Sequence, residues 1–147
     1  MRRLNRSPIP RHTSDMSYSL TTHGITVQVD VDYVPPSEHK HGDGRHVWAY
    51  HIRMTNDGGD TVQLRTRHWD ITDAAGRVQV VEGEGVVGET PVLRAGQSYS
   101  YSSGCPLATP SGTMSGWYMF ERGDGAWIKV LIPAFSLDIP NARRILN

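Results

Sequence analysis

The sequence predicts an all-β fold, a single antiparallel β-sandwich domain. Three observations carry that expectation. Apolar and polar residues alternate at a period of two in several short runs. Fifteen glycines and nine prolines punctuate the 147 residues between those runs. No stretch combines sustained helical spacing of apolar residues with a cap and a stop. Seven or eight short strands in a chain the size of one ordinary domain read as a sandwich. A closed barrel leaves the same periodic marks, so periodicity does not separate the two.

The elements follow in order. Residues 1–16 hold Arg2, Arg3, Arg6 and Arg11, two prolines and little apolar content. They read as a disordered basic tail, with residues 17–147 as the folded domain. "ITVQVDVDYV", from Ile25, alternates strictly and is the clearest strand. "WAYHIRM" puts Trp48, Tyr50, Ile52 and Met54 on one face. "NDGGD" at 56–60 reads as a turn in which Gly58 and Gly59 accept positive φ. "VQLRTRHWDI" runs from Val62 to Ile71, and "TDAAGR" then reads as a hairpin loop with Gly76 left-handed. "VQVV" at 78–81, "SYSYS" at 98–102, "SGWYMFE" at 115–121 and "WIKVLI" at 127–132 complete the strands. Trp48, Trp69, Trp117 and Trp127 all fall in strands and read as core.

Charge excludes one class of partner. The formal net charge is zero, but the tail holds four arginines, leaving fourteen acidic against eleven basic residues in 16–147. A mildly acidic body gives no basic surface for nucleic acid. No apolar run approaches the length of a membrane helix, and the basic N-terminus lacks a secretory h-region. Cys105 is the one cysteine, so no intrachain disulfide forms, and a cytoplasmic setting is the simplest expectation.

The stretch "VVEGEGVVGE" fits G-x-G-x-x-G at Gly83, Gly85 and Gly88. A dinucleotide loop of that kind needs a helix after the glycines, because the helix N-terminus holds the pyrophosphate. "ETPVLRAGQSYSYSSG" cannot supply an amphipathic helix, and no acid occurs between Glu89 and Glu121 to meet a ribose. Glu84 and Glu89 repel a phosphate. The glycines therefore read first as a β-bulge or a close backbone crossing, with an anion-binding nest of amides as the alternative.

Other candidates are weaker. His39, His41, Asp43 and His46 crowd one glycine-rich loop, but such a loop does not preorganise four metal ligands, so no metal site is assigned. Arg65 and Arg67 share a strand face with Trp69, while His68 and Asp70 take the other. His68 with Asp70 has the form of a base and its orienter, yet no nucleophile accompanies them, and a structural pairing is the simpler reading. Cys105 lacks a neighbouring base or helix N-terminus and reads as a small buried hydrophobe.

Longer stretches carry a family likeness. "RHWDITDAAGRVQVVEGEGVVGETPVLRAGQSYSYSSGCPLATPSGTMSGWYMF" at 67–120, with "TTHGITVQVDVDYV" before it and "IPAFSLDIP" after it, strongly resembles the ApaG family. The resemblance covers about residues 18–140. The loop "PPSEHKHGDGRH" is longer and richer in histidine than the family pattern. What the resemblance implies is a fibronectin type III-like sandwich without established enzymatic activity or cofactor. It also implies association with diadenosine tetraphosphatase genes, with Co²⁺/Mg²⁺ efflux, and with eukaryotic proteins that carry the domain as a binding appendage. It points to Gly83, Gly85 and Gly88 for phosphate contact. The expected function is a protein–protein interaction module working near Arg65–Trp69, Gly83–Gly88 and Ser103–Gly112. The alternative is a protein binding pyrophosphate, a dinucleoside polyphosphate or a divalent cation. The candidate ligand-binding residues are Gly83, Gly85, Gly88, Arg65, Arg67 and His68.

Overall fold

The structure is a computed structural model, described here for residues 17–39 and 44–140. Nine strands form two antiparallel sheets: β1 (Ser17–Thr22), β2 (Ile25–Val34), β3 (His46–Asn56), β4 (Val62–Asp73), β5 (Val78–Glu84), β6 (Val92–Leu93), β7 (Ser98–Leu107), β8 (Gly112–Arg122) and β9 (Trp127–Leu137). One sheet has the order β1-β2-β3-β7. The other has β5-β4-β8-β9, with β6 pairing the first part of β4. The architecture is a sandwich. The expected tail at 1–16 lies outside the described residues, as do His41 and Asp43 of the histidine-rich loop.

Period-two patterning places the core. In β3 the inward set Trp48, Tyr50, Ile52 and Met54 is buried, and in β9 Ile128, Val130, Ile132, Phe135 and Leu137 are. Phe135 contacts the rings of Tyr18, Tyr50 and Trp69 at centroid separations of 5.9–6.0 Å. The Tyr101 and Tyr118 hydroxyls bond each other at 2.6 Å inside the core, so neither phenol is left unpaired. Gly116 is obligatory at its place in β8, because a Cβ there would stand 1.9 Å from the His68 carbonyl oxygen.

Several expectations are corrected. A strand not among those expected, β1, pairs with β2 along its whole length. β7 runs on through Ser103–Leu107, with Pro106 tolerated because β7 is an edge strand. Gly58 and Gly59 do not adopt positive φ; the left-handed residues nearby are His23 and Gly24, which turn β1 into β2. Gly58 instead lies against Gly24, whose added Cβ would be 3.3 Å from the Gly58 Cα. Asn56, 1% exposed, fastens this end of the fold: its amide donates to the carbonyls of Asp60 and Leu93, and its oxygen accepts from the Gly58 N–H. Trp48 and Trp69 are core, but Trp117 and Trp127 lie on the outer face of the second sheet, and Trp127 is 52% exposed. Alternation explains this, since buried Tyr118 and Ile128 take the inward positions beside them.

Candidate functional site

Strand β4 carries most of the candidate residues, and one irregularity in it decides where they point. Its first residues pair with β6 and its later ones with β5. At that change of partner the register against β8 shifts between Leu64 and Thr66. The extra residue is Arg65. Strict alternation puts Arg65 with Arg67 and Trp69; the bulge separates them. Arg65 reaches Glu121 on the outer face, with Nε and Nη2 at 2.9 and 2.8 Å from Oε1. Arg67, Trp69 and Ile71 face inward, and His68 and Asp70 face outward.

His68 sits in a cage of charge. Its Nδ1 is 2.6 Å from Glu82 Oε2, and its Nε2 is 3.1 Å from Asp70 Oδ1. Its ring stacks on Trp117 with centroids 3.9 Å apart and planes 2° from parallel. Lys129 Nζ stands 4.1 Å from the Trp117 ring centroid. A carboxylate at each nitrogen favours the imidazolium, which alone has two N–H donors. The Glu82 hydrogen bond accordingly holds the His68 pKa above the ordinary histidine value; desolvation opposes it and Asp70 adds to the rise. With a carboxylate at each nitrogen, the His68 imidazolium presents no lone pair to accept a proton.

The glycine stretch is the end of β5 followed by a tight turn. Gly83 pairs with Arg67 in the β4–β5 ladder, and a Cβ on Gly83 would stand 2.8 Å from the Arg67 guanidinium nitrogens. Gly85, at φ +67°, donates its N–H to the Arg65 carbonyl, and a Cβ there would be 2.5 Å from the Glu89 oxygen. Val86 and Glu89 exchange both backbone hydrogen bonds around a two-residue turn. The turn residues Val87 and Gly88 have φ of +42° and +81°. The close-crossing expectation describes Gly83 and Gly85 well. The amides of Gly85, Val86 and Glu89 already donate to carbonyls of the chain.

Arg67 meets Ser103–Pro106 at one edge of the sandwich, and the glycine stretch lies against Arg67. There β5 and β7 each have a single neighbouring strand among the described residues. Between them lies a cleft of about 250 Å³, with Arg67, Trp69, Val81 and Met114 from one sheet and Tyr50 and Ser103 from the other. Arg67 Nη1 donates to the carbonyls of Glu84 and Gly85 at 3.1 and 2.9 Å, which ties the end of β5 to β4. Cys105 also lines the cleft. It is 4% exposed, and burial pushes its thiol up to about 11, so it is a buried small hydrophobe as expected.

Sequence reasoning missed Glu82 as the partner of His68 and Tyr50, Val81 and Met114 as cleft residues. The first was recoverable: counting back from the Asp73–Arg77 turn pairs Thr72 with Val78 and therefore His68 with Glu82. The same count pairs Trp69 with Val81, whereas Tyr50 and Met114 depend on strand order, for which no local signal exists. Among the described residues no group of three or more His, Cys, Asp or Glu side chains is placed to hold a metal ion. None of the described helices is long and apolar enough to cross a membrane.

Residues 36–122 match the ApaG domain family. Protein ApaG of Paramagnetospirillum magneticum is 54% identical over 130 residues, which cover 88% of this chain and 99% of that protein. Protein ApaG of Brucella canis is 52% identical over the same shares. A Bordetella pertussis crystal structure superposes with a TM-score of 0.74 at 44% identity, covering 79% of this chain and 94% of that one. A structural-genomics X-ray structure gives 0.75 at 36% identity, over 81% and 89%. The sandwich, the bulged β4 and the glycine turn thus sit in a chain that belongs to the ApaG family.

Proposed function

We propose that this domain is a non-enzymatic binding module that recognises a partner protein at its open β5/β7 edge. One observation carries the reading: of the three segments expected to form a surface, the inward part of Arg65–Trp69 and the start of Ser103–Gly112 meet at that edge, and the glycine stretch lies against Arg67. Two strands whose outer backbones pair with no other strand among the described residues flank it, and an extended segment can pair with such a strand. Exposed Val78 and Val80 add apolar area beside it. The non-catalytic part is supported by the engagement of both His68 nitrogens and by the Cys105 thiol, which burial holds protonated. A cytoplasmic setting accords with that single reduced cysteine.

The test is site-specific photocrosslinking in cells that express the protein. A crosslinker at Gln79 or Ser103 is expected to give the same discrete adduct, and one at Thr22 on the opposite edge none. Adducts of equal strength from all three positions, or from none, reject the open edge as the surface.

A second reading, binding of a small phosphate-containing anion, is favoured by one observation. The Arg67 guanidinium lies against Gly83 and has no carboxylate partner among the described residues. Titration with pyrophosphate, followed by backbone-amide NMR, decides it. Saturable shifts at Val87–Gly88 and Arg67 support this reading; shifts spread evenly over the surface reject it. The association with Co²⁺/Mg²⁺ efflux remains an expectation of the family likeness, tested by the same titration with those ions.

A further inference from the structure

Arg67 is the odd residue in an otherwise ordinary interior wall. It points between the sheets beside Trp69, and its two hydrogen bonds both leave from Nη1. Nε and Nη2 take no partner among the described residues. A guanidinium carries five N–H donors in a fixed fork suited to a planar anion. A half-buried cation without a counter-ion is the exception in folded proteins, because desolvation without pairing is costly.

We infer that the open-edge cleft takes a carboxylate borne beside an aliphatic side chain, as an acidic segment of a partner protein supplies, with Arg67 as the anchor for the carboxylate. The inference rests on the open-edge reading above and names the partner's chemistry. Three observations favour it. The first is size: at about 250 Å³ the cleft falls below the roughly 300–1,000 Å³ of pockets for drug-sized ligands. One side chain and its neighbour fill the cleft itself. The second is lining. Trp69, Val81 and Met114 form an apolar floor, while Tyr50 and Ser103, whose side chains hydrogen-bond each other, line the facing wall. An anion attached to an apolar body meets both. The third is charge. The cleft continues into a groove lined by Arg45, Arg77 and Asp73, in which Arg77 pairs with Asp73. Among the described residues that line cleft and groove, arginines outnumber carboxylates, although the folded part of the chain is mildly acidic. An extended acidic segment lying along β5 or β7 also gains main-chain hydrogen bonds from an edge strand.

A random peptide-display library panned against the full chain tests this, with the recovered peptides resynthesised and their affinities measured at fixed salt. The expected result is recovery of peptides with an acidic residue next to an aliphatic one. Each should shift the amides of Trp69, Val81 and Ser103. Replacing the acid by its amide, Glu→Gln in the peptide, should weaken binding roughly tenfold or more, the scale of a lost charge-assisted hydrogen-bond pair. That substitution leaves the protein untouched and so cannot be confounded by misfolding. Arg67→Lys, which keeps the charge but loses the fork, should also bind more weakly. Peptides that shift the same amides but tolerate Glu→Gln overturn the carboxylate inference and leave the open-edge module standing. Peptides that bind elsewhere on the domain overturn both. Pyrophosphate binding to Arg67 and the glycine turn, with no peptide recovered, also overturns both and favours the anion reading.

Discussion

At one long edge of the sandwich β1 and β9 close the gap between the sheets, and at the other β5 and β7 leave it open. The closed edge is sewn by aromatic and backbone contacts. The Tyr18 ring meets Phe135, the Leu131 N–H donates to the Thr22 hydroxyl, and the Ser136 N–H points at the Tyr18 hydroxyl. At the open edge the corresponding place between the sheets holds Arg67, whose guanidinium bonds to backbone carbonyls of its own sheet rather than to the sheet opposite. An apolar side chain there would draw the sheets together by burying area; a charged one keeps the gap accessible to water. A sandwich can thus place stability at one edge and access at the other without changing its strand count.

The largest effect expected from breaking this contrast comes from the closed edge. Phe135→Ala removes a ring that touches Tyr18, Tyr50 and Trp69, and urea denaturation should register a loss of about 3–5 kcal/mol. A smaller loss is expected at the open edge from Gly85→Ala, roughly 1–3 kcal/mol, because the new methyl meets the Glu89 carbonyl in a left-handed residue. If Gly85→Ala costs more than Phe135→Ala, the assignment of stability to the closed edge is wrong.

The glycine turn also allows a gain. Val87 is β-branched, 58% exposed and held at φ +42°, a region such residues avoid. Val87→Asn produces the Asn-Gly pair that this turn prefers and should raise stability by about 0.5–1 kcal/mol. A Tm unchanged or lowered would mean that Val87 makes a contact worth its strain.

His68 ties β5 to β4 through Glu82, so the open edge should loosen with pH. Its pKa is raised in the folded state, so the stabilisation is complete below the unfolded histidine value of about 6.5 and is lost as pH rises through the folded value. The Tm difference between the wild type and His68→Gln should therefore shrink as pH increases from 6 towards 9. A difference that grows over that range would contradict the caged imidazolium. The smallest effect concerns only a rate. The Cys105 thiol, buried in the cleft wall, should react with a disulfide reagent at pH 8 far more slowly than a free peptide thiol. Arg67→Lys, by loosening the end of β5, should speed it, and Phe135→Ala should do so only as far as it unfolds the whole domain.

Much of the fold was legible because the strands carry their own period. Ile25–Val34 alternates so regularly that its boundaries can be read from the sequence, and Gly76 marked the β4–β5 turn, where it has φ +85°. β1 was not legible, since Ser17–Thr22 has little apolar content and earns its place by pairing with β2 and packing Tyr18 on Phe135. For the candidate site, His68, Asp70 and Arg67 were visible as residues but not as a geometry. The bulge at Arg65 reversed one expected side-chain direction, and the stack of His68 on Trp117 required β8 to lie beside β4, across some fifty residues of chain.

The all-β class, the strictly alternating strands, the Gly76 turn and the lack of a helix after the glycines could be read from the residues alone. These follow from local sterics and from a side-chain period that a single strand already expresses. Which edges close, which way Arg67 points and why Gly116 must lack a side chain were settled by the assembled sheets. Each of those depends on which strand lies next to which, and strand order is set by the packing of the whole core rather than by any short stretch of residues.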